Sequence, residues 1–81
     1  MLNPKIVAVE PQSDFGLLLV YETGERRRYD ARPCIYGDFM GELADPDYFS
    51  QARLFMDGWS VCWPNGQDID PCVLYRESVA V

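Results

Sequence analysis

The stretch Trp59–Tyr75, with the sequence WSVCWPNGQDIDPCVLY, constrains the fold of this chain more than any other part of it. Its first five residues alternate large apolar side chains with small ones, which is typical of a half-buried β-strand. The dipeptide Asn65-Gly66 predicts a tight turn, because both residues tolerate a positive φ. Asp70 and Pro71 predict the start of a helix, with Asp70 as the N-cap and Pro71 in the first helical position. The stretch therefore predicts a strand, a turn, a second short strand and a capped helix.

Two hairpins are predicted along the chain. In the first, residues 5–10 form a short strand and residues 15–22 form the clearest strand of the chain. Apolar side chains on both faces of this second strand indicate a central place in the sheet. A turn at 22–25, where Gly24 supplies the positive φ, leads to a return strand at 26–30. The other hairpin pairs a strand at 51–56 with the one that begins at Trp59.

The segment between the hairpins is predicted to be helical. Residues 34–44 carry apolar side chains at positions i, i+4, i+5 and i+8, which favours a short helix weakened by two glycines. Those apolar residues are Ile35, Phe39, Met40 and Leu43. Residues 46–50 are expected to add one helical turn with Tyr48 and Phe49 facing inward. The last residues, 78–81, are expected to form a tail that frays.

The order of these elements predicts the fold class. It is a small single α+β domain spanning residues 1–81, with a mostly antiparallel twisted sheet of about five strands. A short helical excursion and the C-terminal helix would cover one face of that sheet. In a chain of 81 residues the core is small, which favours placing the aromatic residues inside it.

Charge and composition exclude several classes of function. The formal net charge is −6, which argues against binding nucleic acid or anionic membranes by general electrostatic attraction. The chain has no histidine, which removes histidine-based nucleophile systems and histidine metal sites, and we expect neither enzymatic activity nor a cofactor. Three cysteines without CxxC spacing favour reduced thiols and a cytoplasmic location.

The segment at residues 38–47, here called the acidic excursion, is the candidate partner-binding surface. Its carboxylates are Asp38, Glu42, Asp45 and Asp47. They would either keep a helix face soluble or dock on a basic protein partner. An exposed strand edge could also pair two copies of the chain into a homodimer.

An arginine run supplies the alternative candidate, a contact with nucleic acid. Arg26, Arg27, Arg28 and Tyr29 lie on the predicted return strand, with Arg32 close behind. Strand alternation divides the run between two faces, and neighbouring carboxylates can pair with it. A solvated, ion-paired strand is the competing interpretation.

Three further features each have a structural and a functional interpretation. Asp68 and Asp70 could hold a divalent cation, or Asp70 could cap a helix while Asp68 bonds the amides of the preceding turn. Trp59, Trp63 and Tyr75 could line a groove or belong to the core. The thiols of Cys34, Cys62 and Cys72 carry no evident activity, and Cys62 and Cys72 are expected to be buried as small apolar groups.

Much of the chain, roughly residues 3–78, resembles a known bacterial family, domain of unknown function 2442. The most specific motif is the string Trp-x-Asn-Gly-x-Asp-x-x-Pro-x-x-Leu-Tyr at residues 63–75. Earlier matching pieces are Asn3-Pro4, Leu17–Tyr21, Thr23-Gly24-Glu25, Tyr29-Asp30, Leu43-Ala44-Asp45 and Tyr48-Phe49. The resemblance implies a small α+β protein with no established activity. It also implies a gene placed beside another small uncharacterised family, number 4160, in an arrangement similar to a toxin–antitoxin pair.

Together these features favour an interaction module that is not an enzyme. It would be an antitoxin-like or accessory subunit that binds a basic protein partner, possibly encoded by the adjacent gene. The alternative is a regulatory module that contacts nucleic acid through the Arg26–Arg28 strand.

Overall fold

The computed structural model describes residues 3–81, which form seven strands and two short α-helices. The strands are β1 (Ile6–Pro11), β2 (Gly16–Tyr21), β3 (Arg26–Asp30), β4 (Arg53–Phe55), β5 (Ser60–Cys62), β6 (Asp68–Ile69) and β7 (Val79–Ala80). The helices are α1 (Pro46–Phe49) and α2 (Pro71–Arg76), and 3₁₀ turns lie at Arg32–Cys34 and Met40–Ala44. No helix within this described part has the length and apolar character needed to cross a membrane.

Four of the strands form one antiparallel sheet, in the order β1-β2-β3-β7, here called sheet A. Leu17 and Leu19 of β2 are fully buried, while Leu18 and Val20 on its other face are half-buried. This confirms the predicted central position of the strand, because both of its edges are paired and both of its faces are at least partly covered. The tight turn after β2 places Gly24 at φ +90°, as the hairpin signal predicts.

The other three strands form a second antiparallel sheet, in the order β4-β5-β6, here called sheet B. Val61 at its centre lies opposite Leu54 on one side and Ile69 on the other, so that these three side chains share the face that meets the core. The Asn65-Gly66 turn joins β5 to β6, and Gly66 adopts φ +100°.

The core lies between the two sheets and is closed by the helical segments. Phe49 of α1 packs edge-on against Phe15, with ring centroids 5.2 Å apart. It also packs against Trp63, with tilted rings whose centroids are 5.6 Å apart. The indole Nε1 of Trp63 donates a hydrogen bond to the carbonyl oxygen of Phe49 at 3.0 Å. Leu43 and Leu74 complete this core from the acidic excursion and from α2. The aromatic residues thus join elements that are distant in sequence.

The tip of the β4–β5 hairpin ties the two sheets together at Gly58. The backbone N–H of Ile6 donates to the carbonyl oxygen of Gly58 at 2.7 Å. Gly58 has φ +94°, and a Cβ atom added there would overlap the carbonyl oxygen of Ile6. Only glycine satisfies both the left-handed conformation and this close approach.

Three expectations from the sequence require correction. Residues 3–81 form seven strands in two sheets rather than about five in one, although the α+β class and the antiparallel pairing are confirmed. Residues 34–44 do not form an α-helix, because Gly37 turns the chain at φ +74° and only the 3₁₀ turn at Met40–Ala44 follows. The C-terminal tail is not frayed, since β7 pairs with the free edge of β3 and Val81 N donates to Arg26 O at 3.0 Å.

Candidate interaction surface

The acidic excursion is held on the protein by one buried leucine and one helix cap. Leu43 is fully buried, and Asp45 accepts a hydrogen bond from the backbone N–H of Asp47 at 3.0 Å as the N-cap of α1. Asp38 and the side chain of Asp47 are exposed and form no hydrogen bond or ion pair within residues 3–81. Two of the four predicted carboxylates are therefore free to meet a partner without breaking an intramolecular bond.

A buried amide fixes the excursion to the Asn65-Gly66 turn. Gln67 is 0% exposed, and its Nε2 donates to Glu42 Oε1 at 2.6 Å and to the Phe39 carbonyl oxygen at 2.9 Å. Tyr48 donates its hydroxyl to Gln67 Oε1 at 2.7 Å. Asn65 adds a bond from its backbone N–H to the Tyr48 hydroxyl and one from Nδ2 to Glu42 Oε1. Glu42 is thus held in place rather than free. The sequence pattern did not predict the burial of Gln67, because a polar residue after a turn is expected at the surface.

Two aromatic side chains stand out from the same surface. Tyr36, just before the excursion, is 72% exposed, and Phe39 within it is 53% exposed. The sequence pattern placed Phe39 among the apolar residues of a short helix, which is wrong, because the chain at this point is a turn rather than an α-helix. Residues 33–52 contain the four carboxylates and no lysine or arginine. The surface therefore combines exposed aromatic rings with negative charge.

The arginine run does not form a free basic patch. Arg27 donates through Nε to Ser78 Oγ at 2.7 Å and through Nη2 to the Ser78 carbonyl at 2.8 Å. Its guanidinium also lies 4.7 Å from the ring centroid of Tyr75 and 3.6 Å from the carboxylate of Glu25. The side chain of Arg27 therefore holds the C-terminal segment against sheet A.

Two of the other three arginines, Arg28 and Arg32, are paired as well. Arg28 donates to Asp14 Oδ2 at 2.6 Å and to Gln12 Oε1 at 2.9 Å, and Arg32 forms two bonds with Asp30 at 2.9 Å. The hydrogen bond from Arg28 lowers the pKa of Asp14, and the one from Arg32 lowers the pKa of Asp30. Arg26 is exposed and has no ion pair with any described residue.

Tyr29, the aromatic member of that candidate contact, is buried and faces the core. Its hydroxyl lies 3.0 Å from Cys34 Sγ, and burial raises the pKa of Tyr29. A buried ring cannot stack on a base. The strand from Arg26 to Tyr29 therefore lacks the exposed aromatic ring that the nucleic-acid alternative requires.

Asp68 and Asp70 lie in different environments. Asp70 Oδ1 accepts from the backbone N–H of Cys72 at 2.8 Å, which confirms it as the N-cap of α2. Asp68 does not bond the turn amides as expected, because its side chain lies on the opposite, open face of sheet B from the core residue Ile69. Across the part of the chain that is described, no three Cys, Asp or Glu side chains converge as metal ligands would.

The predicted aromatic and thiol residues also occupy different environments. Trp63 is buried, as expected for a core residue, while Trp59 is half-buried beside the hairpin tip. Tyr75 donates its hydroxyl to the Glu25 carboxylate at 2.9 Å. Cys62 is buried, but Cys72 is exposed, which corrects the expectation that both are apolar core groups.

Comparisons with known proteins place the chain in a family. Searches found no match among curated proteins and none among solved structures. The profile of one family, described as protein of unknown function (DUF2442), matches residues 6–80. That match covers almost the whole fold, from β1 to β7. The chain therefore belongs to the DUF2442 family of proteins of unknown function.

Proposed function

We propose that this protein is a non-enzymatic interaction module whose acidic excursion docks on a basic protein partner. The observation that carries the proposal is the exposure of Tyr36 and Phe39 among carboxylates, in a 20-residue stretch, 33–52, without a single basic residue. Aromatic side chains are the commonest anchors of protein interfaces. The free carboxylates of Asp38 and Asp47 would steer a basic partner toward those anchors.

The hydrogen-bond network around Gln67 supports the same proposal. It holds the Phe39 backbone and the Glu42 side chain in fixed positions before any partner arrives. A surface that is ordered in advance loses less conformational entropy on binding than a flexible loop does. The excursion therefore has the order that a recognition surface needs, although it contains little regular secondary structure.

The family resemblance motivates the finer part of the proposal. The partner would be the product of an adjacent gene, and the protein would act in the cytoplasm as an antitoxin-like neutraliser or an accessory subunit. Direct binding of nucleic acid gains no support from the structure, because Arg27, Arg28 and Arg32 are paired and Tyr29 is buried.

The experiment compares capture of the partner by tagged variants, followed by a salt wash and mass spectrometry. Asp38→Lys/Asp47→Lys reverses two free carboxylates of the acidic excursion. The matched control, Glu10→Lys/Glu77→Lys, changes the net charge by the same amount at two exposed residues outside it. We expect the excursion variant to lose a stoichiometric basic partner and the control to retain it. Equal capture by both variants would refute the assignment of the surface.

A second variant separates the aromatic anchors from the charges. Tyr36→Ser/Phe39→Ser should weaken binding at every salt concentration, because it removes apolar contact rather than charge. Co-expression of the identified pair then tests whether the protein neutralises a toxic partner. Unchanged affinity of the aromatic variant would contradict the role given to these rings.

A further inference from the structure

The chain contains two asparagines, which differ in the residue that follows each of them. Asn65 precedes Gly66, and glycine has no side chain to hinder the approach of its backbone nitrogen to a neighbouring group. Asn3 precedes Pro4, which has no backbone N–H to lose. An asparagine deamidates in water when the backbone nitrogen of the next residue attacks the amide carbon of its side chain. Asn65 is therefore the asparagine of this chain that can react by this route.

The structure holds each group of this reaction in a hydrogen bond. The attacking group, the backbone N–H of Gly66, donates to the carbonyl oxygen of Trp63 at 3.0 Å. The leaving group, Nδ2 of Asn65, donates to Glu42 Oε1 at 3.1 Å, and the backbone N–H of Asn65 donates to the Tyr48 hydroxyl at 2.8 Å. Asn65 is exposed to water, so its protection comes from these bonds rather than from burial.

The turn between β5 and β6 must open before Asn65 can react. The N–H of Trp63 donates to the Gln67 carbonyl oxygen at 2.9 Å, which closes the turn together with the bond from Gly66. Gly66 must lose its proton before its nitrogen can attack, which breaks that bond to Trp63. Loss of ammonia from Asn65 breaks the bond to Glu42. The reaction therefore starts from a locally opened state, and the population of that state sets the rate.

We propose that Asn65 is a deamidation site that reacts when the acidic excursion and the turn separate, and that its product prevents them from closing again. In the open state hydroxide removes the proton of the Gly66 nitrogen, which then forms a bond to Cγ of Asn65. The bond from Cγ to Nδ2 breaks, and ammonia leaves. Water opens the resulting cyclic imide at one of its two carbonyl groups, which gives an aspartate or an isoaspartate at position 65. Water and hydroxide are the only reactants.

Either product removes a hydrogen-bond donor and adds a negative charge beside Glu42. Glu42 Oε1 now accepts from Nδ2 of Asn65, and a carboxylate in that place would repel it. Glu42 is also bonded to Gln67 Nε2 at 2.6 Å, so it cannot turn away without breaking that bond. Isoaspartate further lengthens the backbone of the turn by one carbon atom. The change is irreversible and would leave the acidic excursion detached from the turn, whether or not the excursion binds a partner.

The test follows deamidation of Asn65 by mass spectrometry of peptides from protein kept in mildly alkaline buffer. We expect the folded protein to react about tenfold or more slowly than the protein in concentrated urea. Tyr48→Phe and Glu42→Ala each remove two bonds of the network and should each accelerate the reaction about tenfold. Asp70→Ala is the matched control, because it weakens the α2 cap without touching the network and should leave the rate close to that of the wild type.

A second measurement tests the effect of the product. Asn65→Asp introduces the charge, whereas Asn65→Ser removes the bond to Glu42 without adding a charge. Amide exchange in residues 38–47 should be about fivefold faster in Asn65→Asp than in Asn65→Ser, and adding Glu42→Gln to both should abolish the difference. Equal deamidation in folded protein and in urea, equal acceleration by Tyr48→Phe and Asp70→Ala, or equal exchange in Asn65→Asp and Asn65→Ser would each overturn the proposal.

Discussion

Replacing Gln67 by methionine removes the amide that connects the acidic excursion to the rest of the molecule. Methionine has a similar volume, so the substitution tests hydrogen bonding rather than packing. The wild-type amide takes part in three bonds, to Glu42 at 2.6 Å, to Phe39 at 2.9 Å and from Tyr48 at 2.7 Å. We expect the free energy of unfolding to fall as these bonds are lost.

The magnitude follows from the surroundings of each partner. A neutral hydrogen bond contributes about 1 kcal/mol net, and a bond to a charged group contributes somewhat more when it is shielded from water. Glu42 is exposed and can be rehydrated, and Tyr48 keeps its bond from the backbone N–H of Asn65. We therefore expect the free energy of unfolding to fall by about 2–3 kcal/mol, which is less than three fully shielded hydrogen bonds would contribute together. For a domain of this size, that corresponds to a melting temperature lower by about 10–20 °C.

Urea denaturation and calorimetry measure this change directly. Glu42→Gln is the control, because its side-chain oxygen still accepts from Gln67 and Asn65, and it should destabilise by about 1 kcal/mol or less. Amide exchange gives a second readout, in which Gln67→Met should lose protection in residues 38–47 before the rest of the chain. A loss below about 0.5 kcal/mol, with exchange unchanged in that segment, would refute the role of the network.

Two further predictions concern single side chains. Tyr21 is buried with a hydroxyl that has no partner among the described residues, so Tyr21→Phe should raise the free energy of unfolding by about 1 kcal/mol at neutral pH in chemical denaturation. Burial raises the pKa of Tyr21 to about 12, so the folded state keeps a proton that the unfolded state releases above about pH 10. The part of the free energy of unfolding that depends on the Tyr21 proton is therefore fully present below pH 10 and is lost as the pH rises toward 12. Tyr21→Phe should make this decline shallower. A residual slope should remain, because the pKa of Tyr29 is raised as well. Equal slopes for both proteins would contradict this account. Asp70→Ala should destabilise by about 0.5–2 kcal/mol through loss of the α2 cap, whereas Asp70→Asn should remain close to the wild type in thermal denaturation, and equal melting temperatures for the two variants would refute the capping role.

Local sequence signals predicted the parts of the fold that depend on neighbouring residues. Asp70 caps α2, Gly24 and Gly66 adopt positive φ in their turns, and β2 is central in its sheet. Each of these follows from backbone preferences or from side-chain alternation within a few residues, so the sequence pattern is sufficient.

The candidate surfaces were predicted less completely. The acidic excursion was identified by its charges, but the exposure of Tyr36 and Phe39 was not, because a helical pattern was assumed where Gly37 turns the chain. The buried position of Gln67 could not be inferred either. Its partners Glu42 and Tyr48 lie 25 and 19 residues earlier in the chain, and no local pattern encodes that contact.

What the sequence determined by itself is therefore most of the strands, the turns at Gly24 and Gly66, the acidic character of one segment and the family to which the chain belongs. The tertiary structure decided how the strands divide into two sheets, which carboxylates are free, and that Gln67 is buried against the acidic excursion. The physical reason is that hydrogen-bond partners and strand neighbours distant in sequence are selected by the packing of the whole chain. The alternation of apolar side chains and the capping of helix ends act only within a single strand or helix.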